Sequence, residues 1–179
     1  FLNVALKGTA VDQGFNFEIY EADFGQISRQ ILDPTSEYYE FEPEYTIIFE
    51  ASHKLLSYYY KYYPDQINFA HNKIDHLKDL YRNITSLTKS KVIFCNFPEI
   101  DIQTFGNFSQ KVESSFVFQQ RKLNYLLAEL ALKNSNIYIA DLCAIQNKFG
   151  RDFMFSPNIY INTEMVLSLD VLPILAQNI

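Results

Sequence analysis

The residues of this sequence that can do chemistry gather where its short apolar runs stop. Glu21 and Asp23 close FEIYEAD, Glu50 closes YTIIFE, and Asp141 follows IYIA. In a parallel α/β sheet such ends meet at one edge, where ligands bind. The carboxylates then form either an acidic cluster for a metal or cationic group, or separate charges that favour the N-termini of following helices. The second reading is the stronger one. Gly25 lies just past the first of these ends. His53 lies just past Glu50, with Ser52 beside it; it reads as a site residue or as an exposed first-turn helix residue.

A second constellation comprises Asn96, Gly106, Asn107, Arg121 and Asn124. Asn96 ends the run KVIFCN, and Gly106 and Asn107 fall in a loop of about fifteen residues, longer than most connections in a domain. Arg121 and Asn124 are three apart and share a helix face. Together these groups would hold a carboxylate or phosphate, with the arginine as bidentate partner. The alternative, that they pin the loop to the helix, is somewhat the better supported. His71 and His76 are five apart, whereas paired metal ligands on a helix want four, so both read as solvated. No GxGxxG, GKS or GKT phosphate loop occurs. Cys95 and Cys143 sit in or beside strand-like runs and read as free thiols in a reducing compartment.

The elements that must position these groups follow from periodicity. Residues 1–13 read as a strand over 4–6 or as a helix; helical spacing of Leu2, Ala5, Leu6, Ala10 and Val11 favours the helix, with Gly8 its weak point. Residues 15–22 alternate and predict the first strand. A short amphipathic helix over 23–32 stops at Asp33-Pro34, and Thr35 or Ser36 caps a further turn, SEYYEF. Residues 45–50 predict a buried strand, and Ser52 a cap for the helix through HKLLSYYYKYY. From Pro64, the stripe Ile67, Ala70, Ile74, Leu77, Leu80, Tyr81, Ile84 and Leu87 predicts the clearest helix of the chain, with Lys73, Asp75, Lys78 and Arg82 outward. Residues 91–96 and 137–140 are strands, 112–133 a long helix, 142–148 a short turn, 150–163 irregular and 169–177 a closing helix. The order αβαβαβαβα predicts a parallel sheet covered on both faces, a three-layer α/β/α sandwich. A doubly wound sheet starts from a strand, so a first strand is expected outside this chain.

Composition limits the partners. At 179 residues the chain suits one domain. A net charge of −6 disfavours nucleic acid and anionic membranes, which select basic faces. No apolar run approaches the roughly 20 residues of a membrane span, and no signal peptide is visible; the expected location is the cytoplasm. Three consecutive tyrosines, Tyr58, Tyr59 and Tyr60, must point in different directions on a helix. At least one is then exposed, which suits an interdomain or partner surface.

The stretch EIYEADFGQISRQILDPTSEYYEFEPEYTIIF resembles the N-terminal domain of FkbH-like proteins, as do FGNF, QQRKLNYLL, IADLCAIQNKFGRDFMF and TEMVLSLDVLPILA. Together these cover nearly the whole chain. The resemblance implies an SGNH-hydrolase-like fold of flavodoxin-like strand order. It also implies a following haloacid-dehalogenase (HAD) domain that carries Mg2+, and an acyl carrier protein as a partner in glyceryl transfer or in polyketide or surface-polysaccharide synthesis. In the family the first helix follows a strand and loop, in some members reading GDS; neither occurs here, and the HAD motif DxDxT would start beyond Ile179. An SGNH esterase further needs a DxxH near the C-terminus, and residues 152–165 contain no histidine. The expectation is therefore a non-hydrolytic accessory domain with no catalytic residue, metal or cofactor of its own. The alternatives are an esterase or acyltransferase with its serine upstream and His53 as base, or an interaction module built on the Tyr-rich helix.

Overall fold

The computed structural model describes every residue except 24, 101 and 157–164. Three of the predicted apolar runs pair as a parallel sheet in the order β1 (Tyr45–Ile48), β2 (Lys91–Cys95), β3 (Ile137–Ala140). Thr46 stands opposite Val92, and Ile93 opposite Tyr138. Alternation sends successive side chains to opposite faces, and each face has its own packed layer.

On one face Ile48, Val92 and Phe94 pack against α4 (Ser52–Lys61), α5 (Phe69–Leu87) and α6 (Phe116–Leu132). The α5 stripe Phe69, Ala70, Ile74, Leu77, Leu80 and Ile84 is fully buried; each large member contributes about 1.5–3 kcal/mol relative to exposure. On the other face Ile93, Cys95 and Ala140 pack against α7 (Leu142–Phe149), α8 (Arg151–Met154) and α9 (Val171–Asn178), with Leu2 and Ala5 of α1 (Leu2–Asp12) at the margin. The result is the expected α/β architecture, a small parallel sheet between two helical layers.

Several boundaries differ from the sequence expectation for identifiable reasons. Residues 15–22 form no regular element and join no ladder, and Phe15 and Phe17 are 58% and 50% exposed. A strand exists only by its partner, and among the described residues β1 has none on the side away from β2. The chain therefore opens with α1, α2 (Ile27–Leu32) and α3 (Glu37–Phe41) before its first strand. α5 begins at Phe69 after a 3₁₀ turn, Gln66–Asn68, which leaves Ile67 exposed along with Leu87. α6 begins at Phe116 because Ser115 caps it, its hydroxyl accepting from the Phe118 N–H at 3.1 Å. Ser52 is not the cap of α4; Ala51 is, and the buried Ser52 hydroxyl donates to the Pro98 carbonyl at 2.6 Å. Of the stretch expected to be irregular, 150–163, the described first half instead forms α8 and an antiparallel bridge from Phe155 to Leu167. Residues 157–163 lie outside the described residues.

Candidate functional site

The carboxyl edge of the sheet divides into two halves. At the β2–β3 half, Asn96 donates to Asp141 Oδ1 at 2.7 Å and accepts from the Cys143 N–H at 3.1 Å. Asp141 also caps α7 by accepting from the Ala144 N–H at 2.9 Å. Asn124 reaches across from α6 and bonds both main-chain groups of Phe97. Gln146 of α7 does the same to Glu99, accepting from its N–H at 2.9 Å and donating to its carbonyl at 2.7 Å. Gln120, fully buried, donates to the Pro98 carbonyl at 2.7 Å and to Phe97 O at 3.2 Å. The stretch after β2 is thus held by three side-chain amides that match its main-chain groups, although Gln120 Oε1 is itself buried without a hydrogen-bond partner.

Beside these bonds lies an open cleft of about 590 Å³, walled by Glu99, Arg121, Asn124, Cys143, Arg151 and Asp152 among others. Glu99 sits between the two arginines, with Arg121 Nε at 2.5 Å and Arg151 Nη2 at 4.0 Å. The Glu99 carboxylate holds the Arg121 guanidinium still more firmly charged than usual. Burial pushes the Cys143 thiol up to about 12, with Asp141 and Glu99 adding to the effect; burial alone does the same to Cys95. Both cysteines are free thiols held protonated, which opposes nucleophilic chemistry.

At the β1 half, Glu50 is not a bare helix-terminal charge. It pairs with Lys73 of α5 at 2.6 Å, with side chains 13% and 11% exposed. Lys73 therefore turns inward rather than to solvent, and its Nζ also lies 5.3 Å from the centre of the Tyr58 ring. His53 is half-buried, edge-on to the Phe155 ring at 5.2 Å, and burial lowers its pKa. Gly25 adopts φ +77°, and a Cβ there would lie 3.5 Å from Lys54 Nζ at the start of α4; glycine suits that backbone conformation. Asp23 is exposed.

The structure thus brings Arg121 and Asn124 to one cleft, with Asn96 joined to it through Cys143, and places Gly25 against the side chain of Lys54. It separates both groups from Gly106 and Asn107, which form an exposed 3₁₀ turn, Gly106–Phe108. That turn lies beside a smaller hollow of about 120 Å³ lined by Tyr59, Tyr60, Phe105 and Phe116 among others. Sequence reading overlooked Gln120, Gln146, Glu99 and the Lys73 pair; QQ inside an apolar helical stripe was the one signal available. It also placed His76 in solvent. His76 is half-buried at the α2–α5 seam, with Ser28 Oγ 3.3 Å from its Nε2, because α2 packs over that face of α5. His71 is exposed. Among the described residues no three His, Cys, Asp or Glu side chains are grouped to hold a metal ion, and no helix is long and apolar enough to cross a membrane.

The sequence profile described as FkbH, N-terminal domain matches residues 1–179, the whole chain. This chain belongs to the FkbH N-terminal domain family. A solved structure similar to it is that of the N-terminal part of the protein BF1531 from Bacteroides fragilis, described as containing a phosphatase domain and complexed with Mg. The two share 42% identity over 99% of this chain, with a TM-score of 0.92. This family member spans 46% of that solved chain. No curated protein matches it.

Proposed function

We propose that this domain is a non-hydrolytic, SGNH-like accessory module. It docks against a HAD-type phosphatase domain of the same polypeptide and presents to it a substrate or an acyl carrier protein, in glyceryl transfer or in polyketide or surface-polysaccharide synthesis. The observation that carries this reading is the commitment of the strand-end polar groups. Asn96, Asp141, Asn124 and Gln146 direct their hydrogen bonds to the chain itself, and both thiols stay protonated. A site organised for acyl transfer would keep a nucleophile within reach of a base there. The relative that contains a phosphatase domain and Mg supports assigning the metal-dependent chemistry to that second domain. Arg121, beside the cleft, is then the candidate contact for a bound group on the β2–β3 half, with Asn96 and Asn124 holding the chain around it. Asp23, Gly25 and His53 are the candidates on the β1 half, and Gly106 and Asn107 form part of the partner-facing loop.

One observation favours hydrolysis instead, the 3.3 Å approach of Ser28 to His76. A single assay separates the readings. The domain, purified alone, should not hydrolyse short-chain p-nitrophenyl esters above background. Turnover that Ser28→Ala, His76→Gln or His53→Gln abolishes would replace the accessory role with an esterase one.

A further inference from the structure

α1 is apolar on both of its sides. Leu6 and Ala10 are buried against the body of the domain, and Leu2 and Ala5 pack at the margin of the second helical layer. The side turned to solvent carries Phe1 at the cap, then Val4, Gly8 and Val11. Phe1 is 73% exposed, Val4 68% and Val11 72%. Steps of three, four and three residues keep these positions on one stripe, and that spacing is the seam of a helix-to-helix contact. A helix apolar on both sides is normally covered on both.

Gly8, at the centre of the stripe, serves no purpose within the chain. Its backbone is helical with no left-handed angle, and a Cβ there would meet nothing within 4 Å. Alanine would fit and would favour the helix. Glycine is useful at such a place when another chain must come close from outside. The end of the helix extends the patch. Gly14 turns the chain at φ +79°, its N–H donating to the Val11 carbonyl at 3.0 Å and the Phe15 N–H to that of Ala10 at 2.8 Å. Phe15 is thereby fixed beside the last turn, its ring stacked on that of Phe17 with 6.2 Å between centres, and both rings are exposed.

We propose that this stripe is a contact between two copies of the chain. Their α1 helices pack antiparallel across a two-fold axis that passes between Val4 and Gly8. In that register Phe1 of one copy faces Val11 of the other and Val4 faces Gly8, each layer occurring twice. A two-fold contact must be self-complementary in this way. The Val4 side chain fills the space that Gly8 leaves open, which accounts for the glycine. Parallel and in register, the two glycines would face each other and leave the centre of the seam empty. With Phe15 and Phe17 at each end the patch offers roughly 600 Å² per copy, the low end for a specific interface, so the association is a weak one, in the micromolar range. The competing occupant is a neighbouring domain of the same polypeptide, which would need no self-complementary pattern.

Sedimentation equilibrium of the full-length protein at micromolar concentration tests this, and a monomer–dimer equilibrium is the expected result. Gly8→Gln puts a helix-favouring but bulky side chain into the seam. It should raise the dimer dissociation constant at least about tenfold, while the thermal midpoint of the dilute monomer stays level or rises. Val11→Lys should weaken the dimer in the same way. Mixing Val4→Glu protein with Gly8→Lys protein should restore association that neither shows alone, because the antiparallel register sets one substituted position against the other. A full-length protein that stays monomeric would overturn the proposal, and a stripe then found covered by the neighbouring domain would name the occupant. A dimer that Gly8→Gln and Val11→Lys both leave intact would also overturn it, by placing the contact elsewhere. A mixture that fails to associate would sink the antiparallel register. Both Gly8 and Val11 face solvent, so if one variant fails to fold the other decides. None of these outcomes depends on whether the domain is hydrolytic.

Discussion

Asn124 grips Phe97 by both main-chain groups: its Oδ1 accepts from the Phe97 N–H at 2.9 Å, and its Nδ2 donates to the Phe97 carbonyl at 2.9 Å. The side-chain amide does what a neighbouring strand would do, just where the sheet ends. Phe97 is buried, so its N–H has no water to turn to when the amide is removed. Asn124→Ala should destabilise the fold by about 1–3 kcal/mol, the cost of orphaning buried polar groups. Asn124→Asp keeps the acceptor but loses the donor, and should also destabilise. Urea denaturation of the three proteins checks this. A change below about 0.5 kcal/mol for Asn124→Ala would mean that the loop finds other partners.

The Glu50–Lys73 pair makes a different prediction because it is nearly dry. Glu50 Oε1 is buried without a hydrogen-bond partner, so the carboxylate relies on Lys73 at its other oxygen. Lys73→Met leaves a buried charge uncompensated and should cost about 3–5 kcal/mol. Adding Glu50→Gln removes that charge and should restore part of the loss. Denaturant midpoints of the single and double variants decide the matter. A double variant no more stable than Lys73→Met alone would show that burial of the charge is not the cause.

How much of this could be read from the chain depended on whether a feature was local. The strands 45–48, 91–95 and 137–140 were legible because each is a short apolar run that must be buried on both faces. The α5 stripe was legible for the same reason at helical period. Residues 15–22 carry an equally good strand pattern, but pairing is a property of the neighbour. Asn124 and Phe97 lie 27 residues apart and Gln146 and Glu99 lie 47 apart. Spacing within one helix says nothing about such bonds. Lys73 looked like a solvated helix residue because its partner, Glu50, comes from another element.

Half-buried histidines make stability depend on pH with a definite sign. Burial lowers the pKa of His53; for His76 burial is again the largest cause, with Lys73 adding to it, against weaker opposing effects of Glu50 and Asp79. The folded state therefore prefers the neutral rings, and the unfolded chain binds more protons below an ordinary histidine pKa of about 6.5. Their contribution is fully present above that pH and is lost as pH falls towards the lowered folded values. Unfolding free energy should decline on acidification below about pH 6.5. His76→Gln should flatten part of that decline. A profile that rises towards acid over the same interval would reverse the assignment.

The thiols give the sharpest test of how closed the β2–β3 half is. With both held near 12, the thiolate fraction at pH 8 is roughly a thousandfold below that of an ordinary cysteine. Native protein should therefore show no fast reaction with Ellman's reagent, and two thiols should appear on denaturation. The two cysteines need not behave alike. Cys95 is buried within β2, whereas Cys143 lines the cleft and is only partly covered. Its protection depends on Asn124 and Phe97, whose Nδ2 and carbonyl lie 3.5 and 3.4 Å from its sulfur. If one thiol reacts quickly it should be Cys143, and Asn124→Ala should accelerate it. Fast Cys143 modification in the unsubstituted protein would mean that the Asn124 grip opens in solution. The cleft would then hold a usable thiolate, and the non-hydrolytic reading would lose its principal support.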